Sequence, residues 1–319
     1  MSAISAKSAN FAYKKRQTVT HIYMNRWIEA TRPWSFPAST MPAIIALAFA
    51  QWSLNGNTDL TAGLAAVAGA FIFQISGNLI SDYFDYRSGV DNKDTFGSSR
   101  MIVDGVFKPR TIWLYGMVWL ALGCMLGLWL AARSGWAMLA IGTAGALGTY
   151  FYYSLKYRAL GDALIFLIYG QLIPLGTYYC AAGGAIDWRL MLATTPIGFM
   201  IVNILHANNT RDAVYDSRAG ISTLAMRIGL RWSKRLFAAL ACSSYAILAL
   251  CVAIGWLPWP CLAVMVTAPL AVKDVRWMMR ATSGDGLKAL RGLDGACAQL
   301  VLVCGVLQAA MLTATYFIA

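Results

Sequence analysis

The chain is built from apolar blocks each about as long as a lipid bilayer is thick. Nine can be read, near residues 37–54, 60–80, 111–132, 135–153, 161–182, 190–207, 234–255, 257–273 and 295–318. About 20 apolar residues in a helix cross a hydrocarbon core of about 30 Å, and lipid tolerates only structures that satisfy their own backbone hydrogen bonds. A soluble globule of 319 residues is excluded, because charged residues are only 13% of the chain and mean hydropathy is +0.56. An outer-membrane barrel would alternate apolar and polar residues in strands of about ten, and this chain does not. The expected fold is an all-α polytopic membrane protein of nine transmembrane helices in the lipid bilayer. The eighth block carries Pro258, Pro260 and Pro269 in or beside it, which membrane helices accommodate.

Charge orients the spans. With residues 1–33 as a polar, basic cytoplasmic arm, 24 of the 26 Lys and Arg residues fall on the inner side, leaving only Arg133 and Arg189 outside. This is the positive-inside pattern. It accounts for the net charge of +12 without nucleic acid as a partner. Within the arm, Tyr23 to Thr31 reads as a surface helix. The seven cysteines lie in apolar stretches without paired spacing, and His21 and His206 are far apart, so zinc and a disulfide framework are not expected. Outer connections are short, whereas the inner loops after the second and sixth blocks read as roughly 25–30 residues each, the length at which loops tend to be functional.

Both inner loops open on the same constellation. Asn78, Asp82 and Asp85 share one face if the second helix continues, and Asn208, Asp212 and Asp216 share another at four-residue spacing. Clustered carboxylates in a low-dielectric site need a cation or a proton. Oxygen ligands without sulfur or imidazole select Mg²⁺ or Mn²⁺, and Mg²⁺ characteristically takes one or two carboxylates together with phosphate oxygens. Two matched clusters therefore suggest two Mg²⁺ ions clamping one diphosphate. Lys156 and Arg211 flank the acidic faces, and Arg87, Lys93, Arg100, Arg158 and Arg218 lie nearby. Metal and guanidinium or ammonium groups are what a departing diphosphate requires. Aromatic residues gather around the same loops, among them Tyr83, Phe84, Tyr152, Tyr153 and Tyr157, as an interfacial belt or as a π-lined cavity that steadies a carbocation.

At these residues the chain resembles the UbiA-type intramembrane prenyltransferases. The first signature is Asn78-Leu-Ile-Ser-Asp82-Tyr-Phe-Asp85, continuing to Gly89 and Asp91; the second runs from Asn208-Asn209-Thr-Arg211-Asp212 through Asp216 and Gly220 to Gly229. Arg32 to Ala38 is similar to the family's lead-in to its first helix, and Leu155 to Asp162 to its loop between the fourth and fifth. Within the family, the Asn-Asn-x-Arg-Asp string and the Gly-x-Asp after the first acids resemble the branch that prenylates 1,4-dihydroxy-2-naphthoate. Ser81 stands where that branch often has a second Asn.

The resemblance implies two four-helix halves, about 34–153 and 161–273, around a central cavity, with a ninth helix at 295–318. It implies Mg²⁺-dependent transfer of a polyprenyl group from polyprenyl diphosphate to 1,4-dihydroxy-2-naphthoate with decarboxylation. The setting would be the inner (cytoplasmic) membrane, with the N-terminus and active-site loops cytoplasmic. It assigns metal binding to Asn78, Asp82, Asp85, Asp91, Asp212 and Asp216, charge neutralisation to Lys156, Arg211 and Arg100, and substrate contacts to Asn208, Asn209 and Tyr153. Asp162 is a candidate to receive the phenolic proton. Other readings stay open: the same enzyme class with another acceptor such as 4-hydroxybenzoate, or a secondary transporter, in which intramembrane carboxylates mark ion pathways. A CDP-alcohol phosphotransferase is disfavoured, since its motif would match only Asp104-Gly105.

Overall fold

A computed structural model describes residues 25–318 apart from 94, 96 and 97. Residues 1–24 of the expected arm, with His21 and Tyr23, lie outside the described residues. The arm's surface helix is the short α1, Arg26–Ala30, N-capped by Asn25, whose side chain accepts from the Trp27 N–H. Among the described residues every long element is helical and no strand forms.

Each apolar block is helical. The elements are α2 (Phe36–Ser53), α3 (Leu60–Arg87), α4 (Pro109–Ser134), α5 (Ala137–Lys156), α6 (Gly161–Ala181), α7 (Arg189–Arg218) and α8 (Leu224–Ala253). A 3₁₀ segment, Trp259–Thr267, then runs directly into α9 (Ala268–Met279), and a second, Gly284–Leu290, precedes α10 (Leu293–Ile318). Six helices among the described residues, α3, α4, α6, α7, α8 and α10, are long and apolar enough to cross a membrane. The other three blocks are helical without meeting that measure. Proline, serine and threonine dilute α2, glycine and tyrosine dilute α5, and the eighth block is divided between the 3₁₀ segment and a short α9. Pro258 and Pro260 open the 3₁₀ stretch, where a missing N–H breaks no ladder bond, and Pro269 at its far end has no N–H to give the Met265 carbonyl.

The inner loops are shorter than the apolar blocks suggested. The helix α3 runs on through Asp82 and Asp85 to Arg87, and α7 through Asp212 and Asp216 to Arg218. Residues 219–223 lead from α7 into a short helical turn, 224–228, which a break at Gly229 (φ 74°) sets off from the body of α8. Charged residues end an apolar block without ending a helix, since Asp, Arg and Tyr cost little as helix formers. The acids therefore stand on rigid helical ends.

The helix α10 packs against α2, α7 and the 259–267 segment, joining the bundle's two parts. The main core follows from this packing: Ile45, Phe49, Ile197, Leu248, Cys261, Val301 and Leu312 are all buried in it. The closest approach is between α6 and α7. A Cβ added at Gly198 would sit 2.7 Å from the Gly170 Cα, so the two backbones touch where α6 widens into a π-helical turn, Phe166–Leu172. That contact sets the second acidic helix against the cavity wall.

Candidate active site

Up-and-down connectivity brings the N-termini of α2 and α10 and the C-termini of α3, α5 and α7 to one end of the bundle. There a mouth of about 1100 Å³ is lined by Asp85 and Asp91 from one side and by Asn208, Asn209, Asp212 and Asp216 from the other. Both acidic faces thus look into one space. Helix C-termini carry the negative end of the macrodipole, so acids placed there are doubly in need of positive charge.

The chain supplies that charge unevenly. Asp82 is buried and forms an ion pair with Arg32; its other oxygen accepts from the Ser99 hydroxyl at 2.6 Å and the Ser99 N–H at 3.2 Å. Asp82 itself does not line the mouth. Arg32 reaches it from a left-handed backbone conformation, φ 57°, which costs a non-glycine residue about 1 kcal/mol. Asp85 accepts from Lys156 Nζ at 3.2 Å, Tyr157 Oη at 2.5 Å and Ser81 Oγ at 3.1 Å. Burial and the adjoining Asp85 charge push the Tyr157 phenol above its ordinary range, which keeps it a donor. Burial, with the Asp85 and Asp82 charges nearby, pushes Asp91 up to about 7.

On the second face, Arg211 pairs with Asp212 through two nitrogens, at 2.7 and 2.8 Å, and with Asp294 at 3.2 Å. Asp216 lies within electrostatic reach of Lys156, Asp85 and Asp91, so the two clusters sense each other. Asn208 lines the mouth with a buried Oδ1 that has no partner. Asn209 donates to Asp162 at 3.1 Å, and Asp162 also meets His206 Nδ1 at 2.6 Å. These contacts tie the start of α6 to α7. Asn78 is likewise engaged, donating to the Thr31 carbonyl and Ser35 Oγ, each at 2.8 Å, and accepting from Gln74 at 3.1 Å. It anchors the lead-in that carries Arg32.

Two residues singled out by sequence lie elsewhere. Arg100 turns toward Asp104, at 3.0 Å, and the Thr95 carbonyl. Tyr153 stacks on Phe84 with ring centroids 3.7 Å apart, while Tyr152, one position earlier, lines the mouth. Sequence reasoning did not single out Arg32, Ser99 or Asp294 as site residues, and it named Tyr152 only among the clustered aromatics. Asp294 had a usable signal, being an acid at the start of the ninth block on the same side as the motifs. Ser99 had none, because only the fold brings it to Asp82.

Below the mouth the cavity continues. A neck of about 800 Å³ shares Ser81, Tyr152 and Asn208 with the mouth, and Phe73, Thr149 and Tyr169 with a chamber of about 720 Å³ beneath. The chamber walls come from α3, α4, α5 and α6 and include Ala66, Gly123, Leu130, Met138 and Gly145. From Ser81 to Ala66 along α3 is about 22 Å at the helical rise. One shaft therefore leads from carboxylates at one end of the bundle to an apolar interior near the other.

Helices of membrane-spanning length around such a shaft define a multi-pass membrane protein with an acidic, lipid-deep cavity. Residues 39–292 match the UbiA prenyltransferase family, and the chain belongs to it. It is 34% identical over 209 residues to "UbiA prenyltransferase domain-containing protein 1" of Danio rerio, covering 64% of this chain and 61% of that protein. To the protein of the same name in Mus musculus it is 33% identical over 227 residues, covering 69% and 66%. The chain thus spans a little under two thirds of the length of these relatives. Among solved structures it is similar to an apo UbiA homolog from Aeropyrum pernix K1, with TM-score 0.67 and 12% identity over 88% of this chain and 97% of that one. It is also similar to a UbiA homolog from Archaeoglobus fulgidus bound to GPP and Mg²⁺, with TM-score 0.61 and 14% identity over 91% and 100%.

Proposed function

We propose that the protein is a prenyltransferase that moves a polyprenyl group from polyprenyl diphosphate onto 1,4-dihydroxy-2-naphthoate, with loss of the ring carboxylate as carbon dioxide. The observation that carries this reading is the single shaft, acidic and cation-flanked at its mouth and apolar below, which matches an amphiphile with a diphosphate head and an isoprenoid tail. The Archaeoglobus homolog bound to GPP and Mg²⁺ supports the donor and the metal. The naphthoate acceptor rests on Asn208-Asn209-x-Arg211-Asp212 and on Gly89-x-Asp91.

The donor set fits Mg²⁺. Among the described residues no three acidic or imidazole side chains converge on a ready-made metal site. Mg²⁺ is suited to that arrangement, because it completes its shell from substrate phosphate and water around one or two carboxylates. The orphaned Asn208 Oδ1 is the hard oxygen such an ion seeks. Asp85 and Asp91 would hold one ion and Asp212 and Asp216 the other, with Asp82 joining once Arg32 turns from it toward the diphosphate. The ions supply charge neutralisation to the leaving diphosphate.

The chain's own groups do the rest. Lys156 and Arg211 draw charge from the diphosphate as the allylic C–O bond breaks and the diphosphate leaves with the electron pair. Tyr152 at the neck faces the developing cation, and the apolar chamber keeps water from it. The electron-rich ring then forms the new C–C bond; the attacked carbon gives up its proton, and a proton takes the place of the carboxylate as carbon dioxide leaves. The mouth would face the cytoplasm, as the distribution of basic residues directs.

The test is pyrophosphate release from geranylgeranyl diphosphate and Mg²⁺ by purified protein, with and without 1,4-dihydroxy-2-naphthoate. Acceptor-dependent release abolished by EDTA, with a prenylated and decarboxylated product, is expected. Release with other aromatic acceptors only would overturn the naphthoate assignment; no release from folded protein would overturn the reading itself.

A further inference from the structure

Away from the shaft, the outer face of the eighth span changes character along its length. Trp259, Leu262, Val266 and Leu270 are exposed at three- and four-residue intervals, with Val266 at 78%. The same series continues as Lys273, Arg276, Trp277 and Arg280, which with Pro269 line a groove of about 620 Å³. The three cations are exposed, and among the described residues none makes an ion pair. Asp274, beside Lys273 in sequence, is buried on the inward side. Nor are these cations spent on the helix terminus. Lys234 of α8 reaches across to the Met279 and Ala281 carbonyls at 2.9 and 2.5 Å. The Trp277 indole is fixed as a groove wall by its bond to the Ala289 carbonyl at 2.7 Å.

The positive-inside tendency accounts for basic residues at this end of the bundle, but not for three of them continuing one apolar stripe. An apolar strip within the bilayer that ends in unpaired cations grouped about an indole at its boundary matches an anionic phospholipid, acyl chains along the strip and phosphate among the cations. We propose that this face of the 259–280 segment binds an anionic phospholipid, its phosphate held by Lys273, Arg276 and Arg280 and its acyl chains lying along Leu270, Val266 and Leu262. A free anion would meet the cations alone, whereas a phospholipid meets the cations and the strip together. The bound lipid would brace α9 against the Gly284–Leu290 segment that leads to Asp294, and so reach the mouth through the Asp294–Arg211 pair. Lipid binding here does not require the reaction assigned to the shaft.

The test uses the full chain in nanodiscs of phosphatidylcholine alone or with added phosphatidylglycerol, reading lipid retained after delipidation by native mass spectrometry and the thermal unfolding midpoint. Phosphatidylglycerol should be retained and should raise the midpoint. K273Q/R276Q/R280Q should weaken retention roughly a hundredfold, about fivefold for each basic residue removed from an anionic surface. The single variants R276Q and R280Q should fall between. Neutralising Lys108, Arg110 and Arg231 together removes as much charge from exposed positions elsewhere and should leave retention unchanged. Equal losses in the two triple variants would overturn the site in favour of bulk charge. An equal midpoint shift from inorganic phosphate in phosphatidylcholine discs would overturn the lipid.

Discussion

The two acidic helix ends are near repeats in sequence and unlike in how the chain holds them. On α3, Asp82 is closed over by Arg32 and Ser99, and Asp85 by Lys156, Tyr157 and Ser81. On α7, Asp212 has Arg211, Asn208 keeps an orphaned oxygen, and Asp216 faces the mouth. The first end is closed over by groups from other elements, Arg32, Ser99, Lys156 and Tyr157. The second is left incomplete, as a half-site that a metal and a diphosphate would finish. Asymmetry of this kind would let one cluster hold its shape while the other responds to a ligand.

If both ends belong to one clamp, Asp82→Ala and Asp212→Ala should each lower prenyl transfer by about 10³-fold or more in folded protein. Turnover assays that find one loss far smaller than the other would break the pairing.

Stability should divide the ends the other way. Arg32→Ala leaves a buried carboxylate unpaired and should destabilise the metal-free protein by about 3 kcal/mol, whereas Arg211→Ala, whose partners Asp212 and Asp294 are partly solvated, should cost about 1 kcal/mol. Thermal unfolding without metal would compare them, and equal losses would remove the distinction.

A third contrast lies in pH. Asp91 keeps its proton to about pH 7 when folded and metal-free, but releases it near pH 4 when unfolded. The folded state binds the extra proton in that window, so this contribution to stability falls as pH rises from about 4 to about 7 and is flat above. Unfolding midpoints across pH should show that slope, and Asp91→Asn should lessen it by one group's share. A variant with the wild-type profile would mean that Asp91 is not the group responsible.

The smallest effect belongs to Ser81. Its hydroxyl donates to Asp85, so this position supplies a hydrogen bond without the second Asn that the naphthoate resemblance implies. Ser81→Ala should cost about 1 kcal/mol, or about fivefold in turnover at low Mg²⁺. Ser81→Asn should restore activity if the contact to Asp85 is what matters.

These contrasts also mark where sequence stops informing. Apolar runs announce helices because burial in lipid is a property of composition, and acids at four-residue spacing announce a shared face because the helical repeat is local. The length of α7 was hidden, since its last eleven residues are helical without being apolar. Tyr152 and Tyr153 differ by about 100° around α5, and no local signal says which looks inward. Arg32 reaches Asp82 across fifty residues through an unusual φ, and Ser99 arrives from a loop; both are consequences of packing alone.

The contact between Gly170 and Gly198 carries a consequence for how such a chain can change over time. Neither position has room for a methyl group while the other backbone stays where it is, and enlarging both only worsens the collision. Two sites 28 residues apart therefore behave as one heritable character. Any lineage keeping this helix crossing must leave both untouched, and a population in which either is substituted should regain function by moving a helix rather than by repairing a side chain.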